Sequence, residues 1–314
     1  MEKEMTASEK PLVSFVVFAY NQEAFVRQAV EAALAQTYLP LEIILSDDAS
    51  QDATATIIRE LAEKYRGPHK VIVNINEKNL GIGGHVNKTV ALAQGEFLVF
   101  AAGDDISKPE RTTMLVDAWL HAGRCAGAFH SGYDDMSENG EMLGTVSRDP
   151  NRPVLPQMCI EHNIVVGATE AWSRSIFDTF GPLHPSVIHE DRIAALRAAL
   201  LDGLHYVDYP LVAYRRGGIS MSPQFSRLRA RRDNSHRYAV DTAHMICDIE
   251  LARRKSLLTD DEADSLLSIA GNRLLREALL IRTKSLIWIP IEVVRETFLA
   301  LKRTAFVAYK LFSL

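Results

Sequence analysis

Four continuously apolar runs, "LVSFVVFAYN", "LEIILSDDAS", "KVIVNINE" and "EFLVFAAGDD", constrain this chain more than any other feature. They are rich in β-branched and aromatic residues, as strands covered on both faces are. Between them lie "QEAFVRQAVEAALAQTY", "DATATIIRELAEKY" and "HVNKTVALAQ", which have helical spacing. In the first of these, Phe25, Val26, Val30, Ala33 and Leu34 form one apolar stripe. Strands and helices alternating in this way make βαβ units. The expected fold is therefore α/β, with a mostly parallel central sheet flanked by helices. Such sheets bind ligands beyond the carboxyl ends of their strands. The Tyr20-Asn21 pair, the acids Asp47 and Asp48, and the acids Asp104 and Asp105 all fall at those ends.

The pattern loosens after Thr112. "TTMLVDAWLHA" reads as a helix, "AGAFHSGYDDM" as a strand, and "SRDPNRPVLPQM" as a Pro-rich loop. "HEDRIAALRAALLDG" opens acidic and becomes helical, and "LHYVDYPLVAYRRGGISMS" closes the apparent catalytic unit. Long helical patterns follow, one opened by a capping box from Thr259 to Glu262. The expected organisation is a disordered tail over 1–10, one domain over 11–222 and a helical appendage over 223–314. A formal net charge of -5 excludes a generally basic, nucleic-acid-binding surface. Cys125, Cys159 and Cys247 form no CxxC pair and fit reduced thiols in a cytoplasmic protein. The N-terminal "MEKEMTASEK" has neither the apolar core of a signal peptide nor that of an anchor.

Two neighbouring carboxylates at the end of a buried strand repel each other unless a cation lies between them. Hard oxygen donors in that position suit Mg²⁺ or Mn²⁺, ions that keep open sites for substrate phosphate. A nucleotide-diphospho-sugar brings such a phosphate, and its departing diphosphate is stabilised by a divalent ion rather than by protonation. A single separate carboxylate base then suffices, where glycoside hydrolysis needs two carboxyl groups.

The order of "SFVVFAYNQEAFVRQAVEAALAQTYLPLEIILSDDASQDAT", "NEKNLGIGGHVNKTVALAQGEFLVFAAGDD", "PER", "HED" and "YRRGGIS" resembles the family 2 glycosyltransferases with the GT-A fold. That resemblance implies a UDP- or dTDP-sugar donor, Mn²⁺ or Mg²⁺, inversion at the anomeric carbon, and a role in building surface polysaccharide or lipopolysaccharide. It places Ala19, Tyr20 and Asn21 against the nucleotide base, and Asp47 and Asp48 on base and ribose. It adds Asn79, Gly81 and Asn87 to the donor site. Asp105 becomes the metal ligand, with Asp104 a ribose or second metal contact. Asp191 becomes the general base beside Glu190, and Arg215 and Arg216 become phosphate clamps on a closing loop over 214–222. The chain departs from the common family pattern at Phe18-Ala19, where Pro-Thr is usual. It also has Ala49 for a glycine, Val86 for a basic residue and Ala102 for an acid.

Each motif has a plainer reading. Asp47 and Asp48 could shape a turn and cap the next helix, and Glu190 and Asp191 could be only a favourable acidic first turn. Arg215 and Arg216 could be solvated surface charge. His130, His162, His184 and His205 show no ligand spacing and fit structural roles. A catalytically silent glycan-binding or scaffold protein of the same fold is the alternative function. A nucleotidyltransferase fits less well, since "FAYNQEAF" is not a basic triphosphate loop. Over 291–314, Glu292, Arg295, Glu296, Lys302, Arg303 and Lys310 share one helical face, which with Pro290 argues against a membrane-spanning helix. That helix either packs on its own domain or a second subunit, or lies in the membrane interface at the inner face of the plasma membrane. The second arrangement would suit an acceptor glycan carried on a lipid.

Overall fold

The computed structural model describes residues 10–147, 155–160, 165–201, 203–217 and 227–282. The expected N-terminal tail, most of the Pro-rich loop, the far part of the loop over 214–222 and the amphipathic C-terminal stretch lie outside these residues.

The first half follows the alternation in the sequence: β1 (Val13–Ala19), α1 (Val26–Leu34), β2 (Leu41–Asp47), α2 (Thr54–Lys64), β3 (Lys70–Ile75), α3 (Gly81–Leu92) and β4 (Phe97–Ala102). These strands lie parallel in the order β3-β2-β1-β4. Ala19 pairs with Asp47 and Phe18 with Ala102, so three strand ends finish side by side. That register delivers both acid pairs to one edge of the sheet.

Both faces of this half are covered. Phe15, Val17, Ile43, Leu45, Phe97 and Val99 pack against α1, against Ile58 of α2, and against Leu115 and Trp119 of the next helix. Val16, Ile44, Leu98 and Phe100 face the other way, toward Val86 and Val90 of α3. Alternate residues of one strand thus enter opposite cores, which is why the runs are apolar throughout.

Beyond β4 come β5 (Ile106–Ser107), α4 (Arg111–His121), β6 (Ala128–Met136), β7 (Met142–Val146), α5 (Leu155–Ile160), β8 (Ala171–Ser173), α6 (Ser175–Phe180), α7 (Glu190–Ala199) and β9 (Leu204–Arg215). Here the sheet becomes mixed, in the order β4-β8-β6-β9-β5 with β7 on β6. β8 is antiparallel to β4 and β6, while β9 is parallel to β6 and antiparallel to β5.

The last described helices, α8 (Arg227–Arg254) and α9 (Asp260–Arg282), share the core of the α/β part. Met245, Ile249, Ala252, Ala263, Leu266, Leu267 and Ala270 belong to the cluster that holds Val16, Ile193 and Leu196. A buried ion pair crosses the same seam: Arg197 Nε and Nη2 donate to the Asp248 carboxylate at 2.7 and 3.1 Å. The capping box ahead of α9 forms as the sequence implies, with Thr259 N donating to Glu262 Oε2 at 2.9 Å and Glu262 N to Thr259 Oγ1 at 3.3 Å. Among the described residues no helix is long and apolar enough to cross a membrane.

Candidate active site

The loops after β1 and β2 are laced together. Asn21, with φ of 49°, accepts from Gln51 N at 2.8 Å and donates its own N–H to Ser50 Oγ at 2.8 Å. Buried Asp47 accepts from Ser50 N at 2.9 Å and from the Ser50 hydroxyl. Asp48 accepts from Asn76 Nδ2 at 2.8 Å, Leu80 N at 2.9 Å and Gly81 N at 3.1 Å, and so ties β2 to the first turn of α3. The plainer role, capping α2, belongs instead to Asp52, which accepts from Thr54 N at 3.0 Å, and to Glu23, which accepts from Ala53 N at 2.8 Å. Tyr20 stands exposed above these loops, and Ala19 is buried below them.

Ala49 sits between the loops with φ of 62°, the left-handed region where a Cβ is strained and the family commonly has glycine. Ala49→Gly is therefore expected to stabilise the fold by about 0.5–1 kcal/mol, the relief of strain exceeding the extra freedom of the unfolded chain. Urea unfolding should show a higher midpoint at unchanged slope; a lower midpoint would contradict the strain.

Asn79 Oδ1 accepts from Gly81 N at 3.0 Å, and Gly81 takes a φ of 68°. Asn87 lies further along α3, and its amide is engaged in both directions by the backbone of one residue. Its Nδ2 donates to Leu183 O at 2.7 Å, and its Oδ1 accepts from Leu183 N at 2.8 Å. Gly83 N donates to Val187 O at 3.2 Å, and a Cβ on Gly83 would lie 2.6 Å from His184 O. The spacing of Gly83 and Asn87 on α3 thus docks the loop over 183–187, which leads into Glu190 and Asp191. Val86 is buried in the core.

At Gly103 the chain passes so close to β1 that a Cβ would lie 2.9 Å from Phe18 O. The next residue, Asp104, has its carboxyl pushed above the ordinary range by burial, with a Gln22 hydrogen bond opposing. Asp105 is buried and accepts from Arg215 N at 2.7 Å, and its carboxyl is pushed up to about 8 by burial and then by Asp104. Arg111, wholly buried, donates Nη1 to Ser107 Oγ at 2.9 Å and Nη2 to Phe100 O at 2.7 Å. Burial pulls its guanidinium down to about 9, and Asp105 opposes that. Arg111 lies in "PER" and carries no signal of this role in the sequence, because its partners come from distant segments.

The two expected phosphate clamps are placed differently from one another. Arg215 is buried, with Nε donating to Asp104 O at 2.9 Å, Nη1 to Glu138 O at 2.8 Å and Nη2 to Gln28 Oε1 at 2.7 Å. Its guanidinium also covers the Phe25 ring at 4.7 Å. It fastens the turn of the two acids to β9 and α1. Arg216 is more than half exposed and is paired with Asp135, Nε donating to Oδ1 at 2.7 Å.

A second group of acids opens α7. Glu190 is pushed up to about 8 by burial and by Asp191. Asp191 is also raised by burial, with the Arg192 N–H, donated to its Oδ1 at 2.7 Å, and His189 opposing. A third member, Glu170, carried no signal in the sequence. It is wholly buried; one carboxyl oxygen accepts from Trp172 Nε1 at 2.9 Å and the other has no hydrogen-bond partner among the described residues. Burial, Asp191 and Glu190 together hold it well above its ordinary value.

Tyr214 precedes Arg215, whose N–H meets Asp105, and members of both groups of acids act on it electrostatically. Its phenol is pushed up to about 12 by burial, then by Asp105, Asp104 and Tyr133, and also by Asp191. Arg111 makes a second link, since Nη2 also reaches Glu170 O at 3.3 Å. Asp105 and Asp191, distant in the sequence, thus both raise the Tyr214 phenol.

A cation fits the first group of acids. Both carboxyls are raised first by burial, and Asp105 next by the neighbouring Asp104, so a cation between them would relieve the cost of charging the pair. Among the described residues no cluster of three or more His, Cys, Asp or Glu could hold a metal. Two carboxylates are what Mg²⁺ or Mn²⁺ commonly takes from a protein when substrate phosphates and water complete its shell.

The sequence profile of Glycosyl transferase family 2 matches residues 14–181, more than half of the 314-residue chain. Over 112 residues the chain is 34% identical to chondroitin synthase of Escherichia coli, covering 36% of this chain and 16% of that protein. It spans less than a third of the length of the sequence relatives it matches. Among solved structures it is similar to S. aureus TarS 1-349 in complex with UDP-GlcNAc, with a TM-score of 0.57 and 19% identity, over 86% of this chain and 81% of that one. Mannosyltransferase PcManGT from Pyrobaculum calidifontis, in complex with GDP-Man and Mn²⁺, gives 0.53 and 17%, over 98% and 85%. At such identities the likeness establishes the fold. From the profile match and the shared architecture, this chain belongs to Glycosyl transferase family 2 and has the GT-A fold.

Proposed function

We propose that the chain transfers a sugar from a nucleotide-diphospho-sugar, UDP- or dTDP-linked, to an acceptor hydroxyl with inversion at the anomeric carbon. The observation that supports this reading is that Glu170 O accepts from Phe100 N of β4 at 3.1 Å, while Gly167, three residues earlier, lies against the Asp191 side chain, so the proposed base neighbours the strand that leads to Asp104 and Asp105. TarS with UDP-GlcNAc and PcManGT with GDP-Man and Mn²⁺ support a nucleotide-sugar donor and a divalent ion.

In this reading Tyr20, standing over Ala19 and Asn21, covers the base, while the loop of Asp47 and Asp48 with Asn79 and Gly81 receives the nucleoside. Asp105, with Asp104, would hold Mn²⁺ or Mg²⁺, which supplies positive charge to the diphosphate oxygens as the leaving group departs. Arg215 holds the turn of the two acids in place, and Arg216 is the arginine with access to phosphate. Asp191 takes the proton from the acceptor hydroxyl. The acceptor oxygen forms its bond to the anomeric carbon as the bond from that carbon to the diphosphate oxygen breaks. A carboxylate raised by burial is a better base near neutral pH than an ordinary one. Glu190 and Glu170, whose own carboxyls burial raises, keep that environment poor in water. Asn87 acts by docking the loop before Glu190. The acceptor is a glycan or lipid-linked glycan of a surface polysaccharide, met in the cytoplasm or at the inner face of the plasma membrane. The C-terminal region would supply membrane contact or self-association.

Melting curves with UDP-, dTDP- and GDP-sugars, each with and without Mn²⁺, test the donor site. A UDP- or dTDP-sugar plus Mn²⁺ should raise the midpoint, by about 2.7 kcal/mol at a hundredfold excess over Kd, and the GDP-sugar should not. No shift with any pair, or the same shift without metal, would contradict the proposal.

A further inference from the structure

Helix α8 holds the two residues that precede the acid pair of α7. Asp241 is completely buried, although it lies on the apolar seam that continues through Met245 and Ile249. Its Oδ1 accepts from Ile188 N at 3.1 Å, and its Oδ2 accepts from His189 Nδ1 at 2.5 Å. One turn earlier on the same helix, Tyr238 stacks on the His189 ring with centroids 5.1 Å apart and planes 18° from parallel. Two consecutive residues, one held by its backbone and one by its side chain, are thus fixed from α8 just before Glu190 and Asp191. A buried carboxylate in an apolar seam is costly unless something else depends on it. Core packing alone would be met by a leucine.

We propose that Asp241 is a positioning residue for the proposed base. It sets the peptide at Ile188 and the imidazole of His189, and through them the direction in which Asp191 enters the site. Helix α8, beyond the profile match at 14–181, is then part of the catalytic unit. This rests on the function proposed above.

Asp241→Asn keeps an oxygen for Ile188 N but places an amide opposite His189 Nδ1, reversing the ring's tautomer or breaking the contact. In the full chain, with the donor identified by the melting screen, kcat should fall about 10–100-fold while donor KM stays within about twofold. The melting midpoint should stay close to wild type. If Asp241→Asn folds poorly, His189→Gln removes the other partner from a partly exposed position and should give the same split between kcat and KM. Wild-type kcat in either folded variant would overturn the proposal.

Amide exchange gives a second reading that needs no turnover. Asp241→Ala should speed exchange over 187–192 at least about tenfold and leave β1 to β4 unchanged. Unchanged exchange there would overturn the positioning role even in a protein that transfers no sugar. A wild-type chain without turnover, combined with faster exchange in Asp241→Ala, would sink the proposed function and leave the positioning intact.

Discussion

Asp105→Asn is expected to abolish Mn²⁺-dependent nucleotide binding and to lower transfer by about 10³-fold, the scale on which lost charge stabilisation of a leaving group is felt. The same substitution should act oppositely on the empty protein. Burial and Asp104 hold the Asp105 carboxyl at about 8, above its ordinary value. Between about pH 4 and that value the folded state keeps a proton that the unfolded chain has released. The contribution of this group to stability therefore falls as pH rises through that window. Asparagine has no proton to lose. Stability of the variant relative to wild type should rise from about pH 5 to pH 8 in the absence of metal. Metal binding runs the other way, because the ion displaces the proton, so Mn²⁺ should bind wild type more tightly as pH approaches 8. Calorimetric titration with UDP and Mn²⁺, paired with melting curves across pH, reads both effects. Unchanged affinity in the variant would remove Asp105 from the metal site.

Asp191→Asn should separate chemistry from binding. Its side chain is nearly isosteric and can still accept the Arg192 N–H, so the start of α7 is retained. Donor affinity should stay within about twofold while turnover falls about 10²–10⁴-fold, the usual range for a missing general base. Wild-type turnover should climb with pH along a limb above the ordinary carboxylate range, because burial raises both Glu190 and Asp191. That limb belongs to the interacting pair rather than to either acid alone. A variant with normal turnover would rule Asp191 out as base.

The parallel half of the sheet was legible because β1, β2 and β4 enter cores on both faces, which forces unbroken apolar runs. The mixed half was not. β5 has two residues and β8 three, too few to show any period. The acids at the strand ends stood out locally, since a charge pair closing an apolar run is visible in a few residues. Arg111, Glu170, Tyr214 and Asp241 did not, because each takes its role from a distant segment. Arg111 reaches Glu170 across 59 positions, and Asp241 reaches His189 across 52. Arg215 shows the converse. Beside Arg216 and Gly217 it reads as a surface loop, yet its backbone N–H meets Asp105 across 110 positions and its guanidinium is buried. Ala49 departs from the usual glycine of the family, and its positive φ supplies the physical reason for that glycine.

The most direct measurement is an anomalous difference map from a crystal grown with UDP and MnCl₂. A single manganese peak coordinated by Asp105 and by the diphosphate, with the Asp191 carboxyl across the site from it, is the predicted result. UDP bound with no peak beside Asp105, or a peak held by other residues, would contradict the account.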